Sequence, residues 1–195
     1  MYRITTVEEK IRVPPERMGH KVKESVRSAI ADQFEGTLDP RLGVILGAVD
    51  VEKVGEGKIA AGDPGIHYQT TFKILTYKPE LHELVRGEII DNTEFGAFVR
   101  IGPLDGLVHI SQLMDDFVSF DNKNSIFLGK ETKKTLKEGD RVIARIIAVS
   151  FGEQNKIGLT MRQNGLGALT WLEEEKKKKK KPGPPAVGKE VKKAK

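Results

Sequence analysis

Residues 2–13 alternate apolar and polar positions and are rich in Ile, Thr and Val, a period of two that predicts a strand ended by Pro14-Pro15. From Glu16 to Phe34 the period lengthens. Met18, Val22, Val26, Ala29, Ile30 and Phe34 recur at spacings of three and four, which predicts a helix with Pro15 in its first turn and Gly36 at its stop. Residues 43–54 predict a second strand, Gly55-Glu56-Gly57 and Gly62-Asp63-Pro64-Gly65 predict turns, and residues 66–77 alternate again. This β-α-β-β order predicts a small domain over residues 1–80. Its single helix can cover only one face of the sheet, so the other face is expected to pack elsewhere.

Pro79 marks a boundary. From Leu84 the period stays near two, with strands expected at 84–91, 95–101, 104–109, 141–150 and 155–161, and with Gly139-Asp140 and Gly152-Glu153 turning the chain before and between the last two. Five short strands with glycines at the corners predict a barrel of the OB type over residues 82–165. Within it, residues 117–120, 121–124 and 125–128 read as strand, turn and strand, an inserted hairpin near 114–130 that is long for a small barrel and is expected to serve a function. Past Trp171 the apolar positions almost vanish, and residues 172–195 are expected to be a disordered Lys-rich tail. The tail reads equally as a weak attractor of nucleic acid or as a solubilising segment. The fold class is therefore α+β: an N-terminal small β-α-β-β domain, a C-terminal five-stranded OB-type β-barrel and a disordered basic tail.

Charge changes the picture less than the total suggests. The chain of 195 residues carries a net +5, but residues 173–195 hold ten lysines against four glutamates, so everything before them nets −1. A high isoelectric point is then no sign of a basic face on the folded part, and any nucleic-acid binding there must come from local charge and from stacking. The absence of Cys excludes disulfides and Cys-based zinc sites and fits a reducing compartment. Neither an apolar run of about 18 residues nor an apolar signal core at Met1–Thr5 is present, so a cytoplasmic protein is expected.

The chemistry lies in Phe95-Gly96-Ala97-Phe98 and Gly106-Leu107-Val108-His109-Ile110-Ser111. Aromatic rings on a sheet offer stacking surfaces to unpaired bases, each worth about 1–3 kcal/mol. Strand parity puts Ala97, Val99 and Ile101 in the core and Phe98 and Arg100 outside. Phe95 shares the core parity. A β-bulge at Gly96 would turn it outward beside Phe98, whereas a regular strand would bury it. His109, flanked by Val108 and Ile110, reads as outward, either as a binding group or as a structural cap. His20, His67 and His82 are scattered, no set at metal-ligand spacing appears, and no metal or cofactor is expected. Asp115-Asp116 is the only tight acidic pair in the insert and has no histidine nearby, which argues against a nuclease and for a non-catalytic chain. On the strand at 141–149, Ala144, Ile146 and Ala148 share one face, and Ile143, Ile147 and Val149 the other. An outer apolar face of that kind is expected to be covered by the insert or by a partner.

The series Val85-x-Gly87, Phe95-Gly96-Ala97-Phe98-Val99, Gly106-Leu107-Val108-His109-Ile110-Ser111, Lys137-x-Gly139-Asp140-x-Val142 and Ile157-x-Leu159-x-Met161-Arg162 resembles the RNA-binding domain named after ribosomal protein S-one. That resemblance implies a single-stranded RNA face built from Phe95, Phe98 and His109, with Arg100 nearby. Lys156 stands where the family carries an arginine, and the position of its usual aspartate falls near Gly152, which does not match. The β-α-β-β half, Gly57–Asp63, Tyr77-Lys78-Pro79 and the insert from Met114 to Thr132 extend the likeness, over about residues 1–165, to the E-prime family of archaeal RNA polymerase stalk proteins. This implies a non-catalytic component of the polymerase that forms a stalk with the small helical F subunit and binds emerging transcript. It also implies docking on core polymerase through loops at 36–42 (Gly36, Leu38, Asp39, Pro40) and 60–65 (Gly62, Asp63, Pro64). An RNA-binding factor of translation or RNA decay with the same barrel is the alternative.

Overall fold

In the computed structural model, which describes residues 1–151 and 156–180, the chain opens with β1 (Tyr2–Val13), α1 (Val22–Phe34), β2 (Leu38–Asp39), β3 (Gly43–Ile59) and β4 (Ile66–Tyr77). The strands form one antiparallel sheet in the order β1-β4-β3-β2. One side of α1 buries Val26, Ala29 and Ile30 against Ile11, Val13, Ile45, Val51, Phe72 and Ile74, the core of this half. Removing such side chains from water is the main source of its stability, at about 1.5–3 kcal/mol for each fully buried one.

Two boundaries differ from the sequence pattern. The helix does not start at Glu16. Pro15–Arg17 makes a single 3-10 turn, and Gly19 then takes φ 118°, a conformation that breaks a right-handed helix, so α1 begins at Val22. The Ser25 hydroxyl donates to the Arg17 carbonyl at 2.7 Å and ties that turn to the helix. Nor does the chain turn at Gly55–Gly57. Strand β3 runs on to Ile59, with a shift in register against β4 between Val54 and Gly57. The glycine there clears space, because a Cβ on Gly57 would fall 2.8 Å from the Tyr68 ring. The reversal is deferred to residues 60–65.

The second half comprises β5 (Leu84–Thr93), β6 (Gly96–Arg100), β7 (Asp105–His109), β8 (Val118–Asp121), β9 (Ile126–Gly129), β10 (Thr135–Leu136), β11 (Arg141–Ser150), β12 (Lys156–Thr160), β13 (Gly167–Ala168) and α2 (Leu169–Lys180). Strands β12-β7-β6-β5-β11 lie side by side, and pairing of β11 with β12 closes the five-stranded barrel. Short β13 adds to β11 outside the closure. The insert is a separate sheet ordered β10-β9-β8, with one strand more than the sequence predicts. It is built into the barrel core, where Phe127 and Leu136 are fully buried with Val99, Val108, Ile146 and Leu159.

Residues 172–180 are helical rather than disordered. Trp171, nearly buried, donates its indole N–H to the Thr135 carbonyl at 3.1 Å and packs on the bare face of Gly167. That anchor starts α2, and the run Glu173-Glu174-Glu175 set four residues before lysines favours its continuation. The expected Gly152-Glu153 turn and tail residues 181–195 lie outside the described residues. No helix among the described residues is long and apolar enough to cross a membrane.

The halves meet at β1. The Met1 ammonium is bonded to the Lys78 carbonyl and to Glu83 (3.0 Å), Arg3 pairs with Glu80, and the Tyr2 and Tyr77 rings lie 4.8 Å apart. Burial, reinforced by the Glu83 carboxylate and by Tyr2, pushes the Tyr77 hydroxyl up to about 12.

Candidate nucleic-acid interface

Strand β6 carries out the expected alternation, with Ala97, Val99 and Ile101 buried and Phe98 and Arg100 on the outside. Phe95 is also outside, half exposed, but not through a bulge at Gly96. Thr93 pairs with Gly96, so Glu94-Phe95 is the two-residue turn between β5 and β6, and Phe95 projects from the turn. The bulge lies on β5 instead, between Ile89 and Asp91. Gly96 has a different task. It pairs with His109, and a Cβ on it would stand 2.2 Å from the Val108 carbonyl oxygen. The missing side chain lets β6 and β7 close beneath the rings. Phe95 and Phe98 then meet edge to face, centroids 5.9 Å apart and planes at 88°. Two rings at a right angle offer one flat face each, as a pair of stacking platforms needs.

His109 ends β7. Its Nδ1 accepts a hydrogen bond from the Ser111 backbone N–H at 3.3 Å and lies 2.9 Å from the Ser111 hydroxyl, capping the short turn Ile110–Gln112. The structural and the binding readings of this histidine are thus compatible. The cap uses Nδ1 and leaves the Nε2 edge, which carries the proton of the neutral ring, free to donate.

Phe98, His109 and Lys156 line one open groove of about 640 Å³ over β7, β11 and β12. Its floor is apolar, formed by Leu107, Ile147 and Ala148 among others. These floor residues were not among the predicted site residues, although the two-sided apolar pattern of 141–149 signalled Ile147. The register shift between Ile146 and Ala148 resolves that pattern. It turns Ile147 and Ala148 outward and Val149 back against the core, so Ala148 does not share a face with Ala144. The insert does not cover Ile147, which remains 43% exposed at the groove. Arg100 stands apart from the groove, where its Nε donates to the Asp105 carboxylate at 3.2 Å.

The two expected docking stretches are not brought together. Gly36, Leu38, Asp39 and Pro40 lie where β3 begins, beside Lys78, whose ammonium donates to the Arg41 carbonyl at 2.6 Å. Gly62, Asp63 and Pro64 form the hairpin loop where β3 ends. They stand at opposite ends of the β3–β4 pair, and the twelve residues of β4 that bridge them span roughly 40 Å at about 3.3 Å per residue, so they form two separate loops. Both carboxylates work internally. Asp39 accepts from the N–H groups of Arg41 (2.7 Å) and Leu42 (3.1 Å), which hold it below the usual carboxylate range. Asp63 accepts two bonds from Arg12 (2.8 and 2.7 Å) and one from the Gly65 N–H (2.9 Å), and lies 2.9 Å from His67 Nε2. Arg12 above all, then Gly65 and His67, hold that carboxyl well below its ordinary value.

The acidic pair of the insert is likewise occupied. Asp115 accepts from Arg162 at 2.8 Å, and Asp116 accepts from the N–H groups of Glu131 and Thr132 and from the Thr132 hydroxyl, fastening the loop between β9 and β10. Among the described residues no group of three or more His, Asp or Glu side chains is placed to hold a metal.

Comparison with known proteins divides the chain in the same place. A family model described as the S1 RNA binding domain matches residues 78–162. Another, described as the SHS2 domain found in the N terminus of Rpb7p/Rpc25p/MJ0397, matches residues 8–64. The chain is 36% identical over 177 residues to the DNA-directed RNA polymerase subunit Rpo7 of Saccharolobus shibatae, spanning 89% of this chain and 98% of that protein. To the same subunit of Sulfolobus acidocaldarius it is 37% identical over 176 residues, 89% of this chain and 96% of that one. A polyribonucleotide nucleotidyltransferase of Chelativorans sp. is 33% identical over 118 residues, 58% of this chain but 14% of that protein.

Proposed function

This chain belongs to the Rpo7 family of DNA-directed RNA polymerase subunits, and from that premise we propose that it is a non-catalytic stalk subunit whose barrel holds single-stranded RNA leaving the enzyme. It is a component of a polymerase complex and carries an S1 RNA-binding domain. The observation that carries the RNA-binding site is the groove itself, with Phe98, the free edge of His109 and Lys156 around one apolar floor and the Phe95 ring set edge to face against Phe98 beside it. The rings stack on bases of any sequence, His109 donates through Nε2, and Lys156 meets a phosphate. The Phe95 and Phe98 rings supply the larger share, about 1–3 kcal/mol per stacked base.

The small helical F subunit is the proposed heterodimer partner. The hairpin loop with Gly62, Asp63 and Pro64 is the proposed contact with core polymerase. It lies at the end of the first sheet opposite the junction, and its backbone is prearranged by Arg12 and His67. Gly36, Leu38, Asp39 and Pro40 stand near the junction of the halves and suit a separate contact. The alternative, a factor of translation or RNA decay, is less well supported, because the likeness to the polyribonucleotide nucleotidyltransferase takes in only 14% of that protein.

Single-stranded RNA binding by the full chain, followed by fluorescence anisotropy, tests the site. Phe95, Phe98 and His109 changed together to Ala are expected to lower affinity by more than about tenfold, with the thermal midpoint lowered only as far as loss of the His109 cap requires and the fold retained, because the side chains lie outside the core. Wild-type affinity in the triple variant would remove the claim. Recovery of tagged chain with core polymerase, rather than with ribosomes or an RNA-decay complex, tests the assignment to transcription.

A further inference from the structure

On β6, Phe98 and Arg100 lie two residues apart and point the same way, yet they line different grooves. Phe98 belongs to the stacking groove. Arg100 belongs to a second groove of about 530 Å³ on the neighbouring wall of the barrel, shared with Arg86, Glu88 and Arg141. Register explains the grouping. Glu88 on β5 is the cross-strand partner of Arg100 on one side and of Arg141 on the other, and Arg86 stands two residues before it. Three guanidinium groups around Glu88, with Asp105 paired to Arg100, leave a local net charge of +1, on a folded part that as a whole nets −1. Arg100 is tied to Asp105, a residue of the stacking groove, so this ion pair bridges the two grooves. Arg86 and Arg141 are exposed and have no ion-pair or hydrogen-bond partner for their side chains among the described residues.

We propose that the arginine groove is a phosphate track that continues the single-strand path. A strand whose bases stack at Phe95, Phe98 and His109 crosses β6 at the Arg100–Asp105 pair and lays its backbone against Arg86 and Arg141. This rests on the stacking groove being the RNA site. Two features favour RNA over an acidic protein. The cations are arginines, whose planar donors fit phosphate oxygens in pairs. The groove also adjoins the stacking surface, since Phe98 and Arg100 are successive outward residues of one strand.

The test uses the full chain, the paired change Arg86→Gln with Arg141→Gln, and single-stranded RNA oligomers of about 4 and about 12 nucleotides, the range one OB barrel covers. For the longer oligomer, the slope of log affinity against log salt is expected to fall by roughly 1.4, from the loss of two phosphate contacts at about 0.7 each. The shorter oligomer is expected to bind as before, and Arg86→Lys with Arg141→Lys to restore most of the slope. An unchanged slope and affinity for the longer oligomer, with the Phe95, Phe98 and His109 variant still defective, overturns the track and leaves the stacking site standing. Wild-type binding of both oligomers by that aromatic variant removes the stacking site instead. Loss of association with other polymerase subunits at unchanged RNA binding assigns the groove to protein and also overturns the proposal.

Discussion

At the scale of single residues, the glycine between the two phenylalanines does the most for the site while touching nothing that binds there. Gly96 lets the Val108 carbonyl approach to where a Cβ would be. Gly96→Ala is therefore expected to push β6 off β7, lowering stability by about 2–3 kcal/mol as overpacking does. Because the strand pair beneath the rings would open, RNA affinity should fall as well. Urea unfolding and anisotropy on the same sample read both effects, and a variant as stable as wild type would contradict the packing argument. Parity identified Phe98 and Arg100 as outward and left Phe95 undecided, since the choice depended on where the turn ends. Whether Glu94-Phe95 belongs to turn or strand is set by the pairing of Thr93 with Gly96, a long-range register that no local pattern encodes. His109 illustrates a different limit. Its cap on Ser111 is local, two residues away, but the groove it faces is assembled from β11 and β12, about forty residues further on.

At the scale of elements, most strands follow from alternation, and the failures have two causes. The length of β3 and the helical stretch after Trp171 depended on contacts distant in the chain, Gly57 against Tyr68 and the Trp171 indole on the Thr135 carbonyl, whereas the helix start was set locally by the positive φ of Gly19. The hairpin loop at 60–65 was predicted as a turn from its glycines and proline. Its rigidity was not, because Arg12 arrives from β1, fifty-one residues earlier. That arrangement gives a pH signature. The folded value of Asp63 is depressed, so its contribution to stability is complete above the ordinary carboxylate value of about 4 and is lost as pH falls towards the lower folded value. Wild type should exceed Asp63→Asn in thermal midpoint by a constant margin from neutral pH down to about pH 5, and the margin should shrink below about pH 4. A margin that stays constant into strong acid would show that the Arg12–Asp63 staple does not stabilise the loop.

At the scale of the whole molecule, two buried clusters share no residue, one between α1 and the first sheet and one inside the barrel and its insert. They are joined by Tyr77–Leu84 and by surface pairs such as Arg3 with Glu80, and exposed pairs of this kind are worth only about 0–1 kcal/mol. Calorimetry is expected to resolve two transitions, with a fragment of residues 79–180 reproducing the barrel's share. A single transition for the full chain, together with an unfolded fragment, would show that the junction couples the cores strongly. The sequence made the two-part organisation plain, since Pro79 and the change in strand spacing mark it. It could not show where each loop would sit along the first sheet, because β3 was expected to turn five residues early. The full length of that strand has a mechanical consequence. Strand β4, its partner, runs without interruption from the stapled loop to Tyr77, where the junction begins. At about 3.3 Å per residue this is a lever arm of roughly 40 Å. If the loop is clamped, a tilt of about 5° there swings the junction by roughly 3–4 Å over that length. A grip at one end therefore aims the barrel at the other.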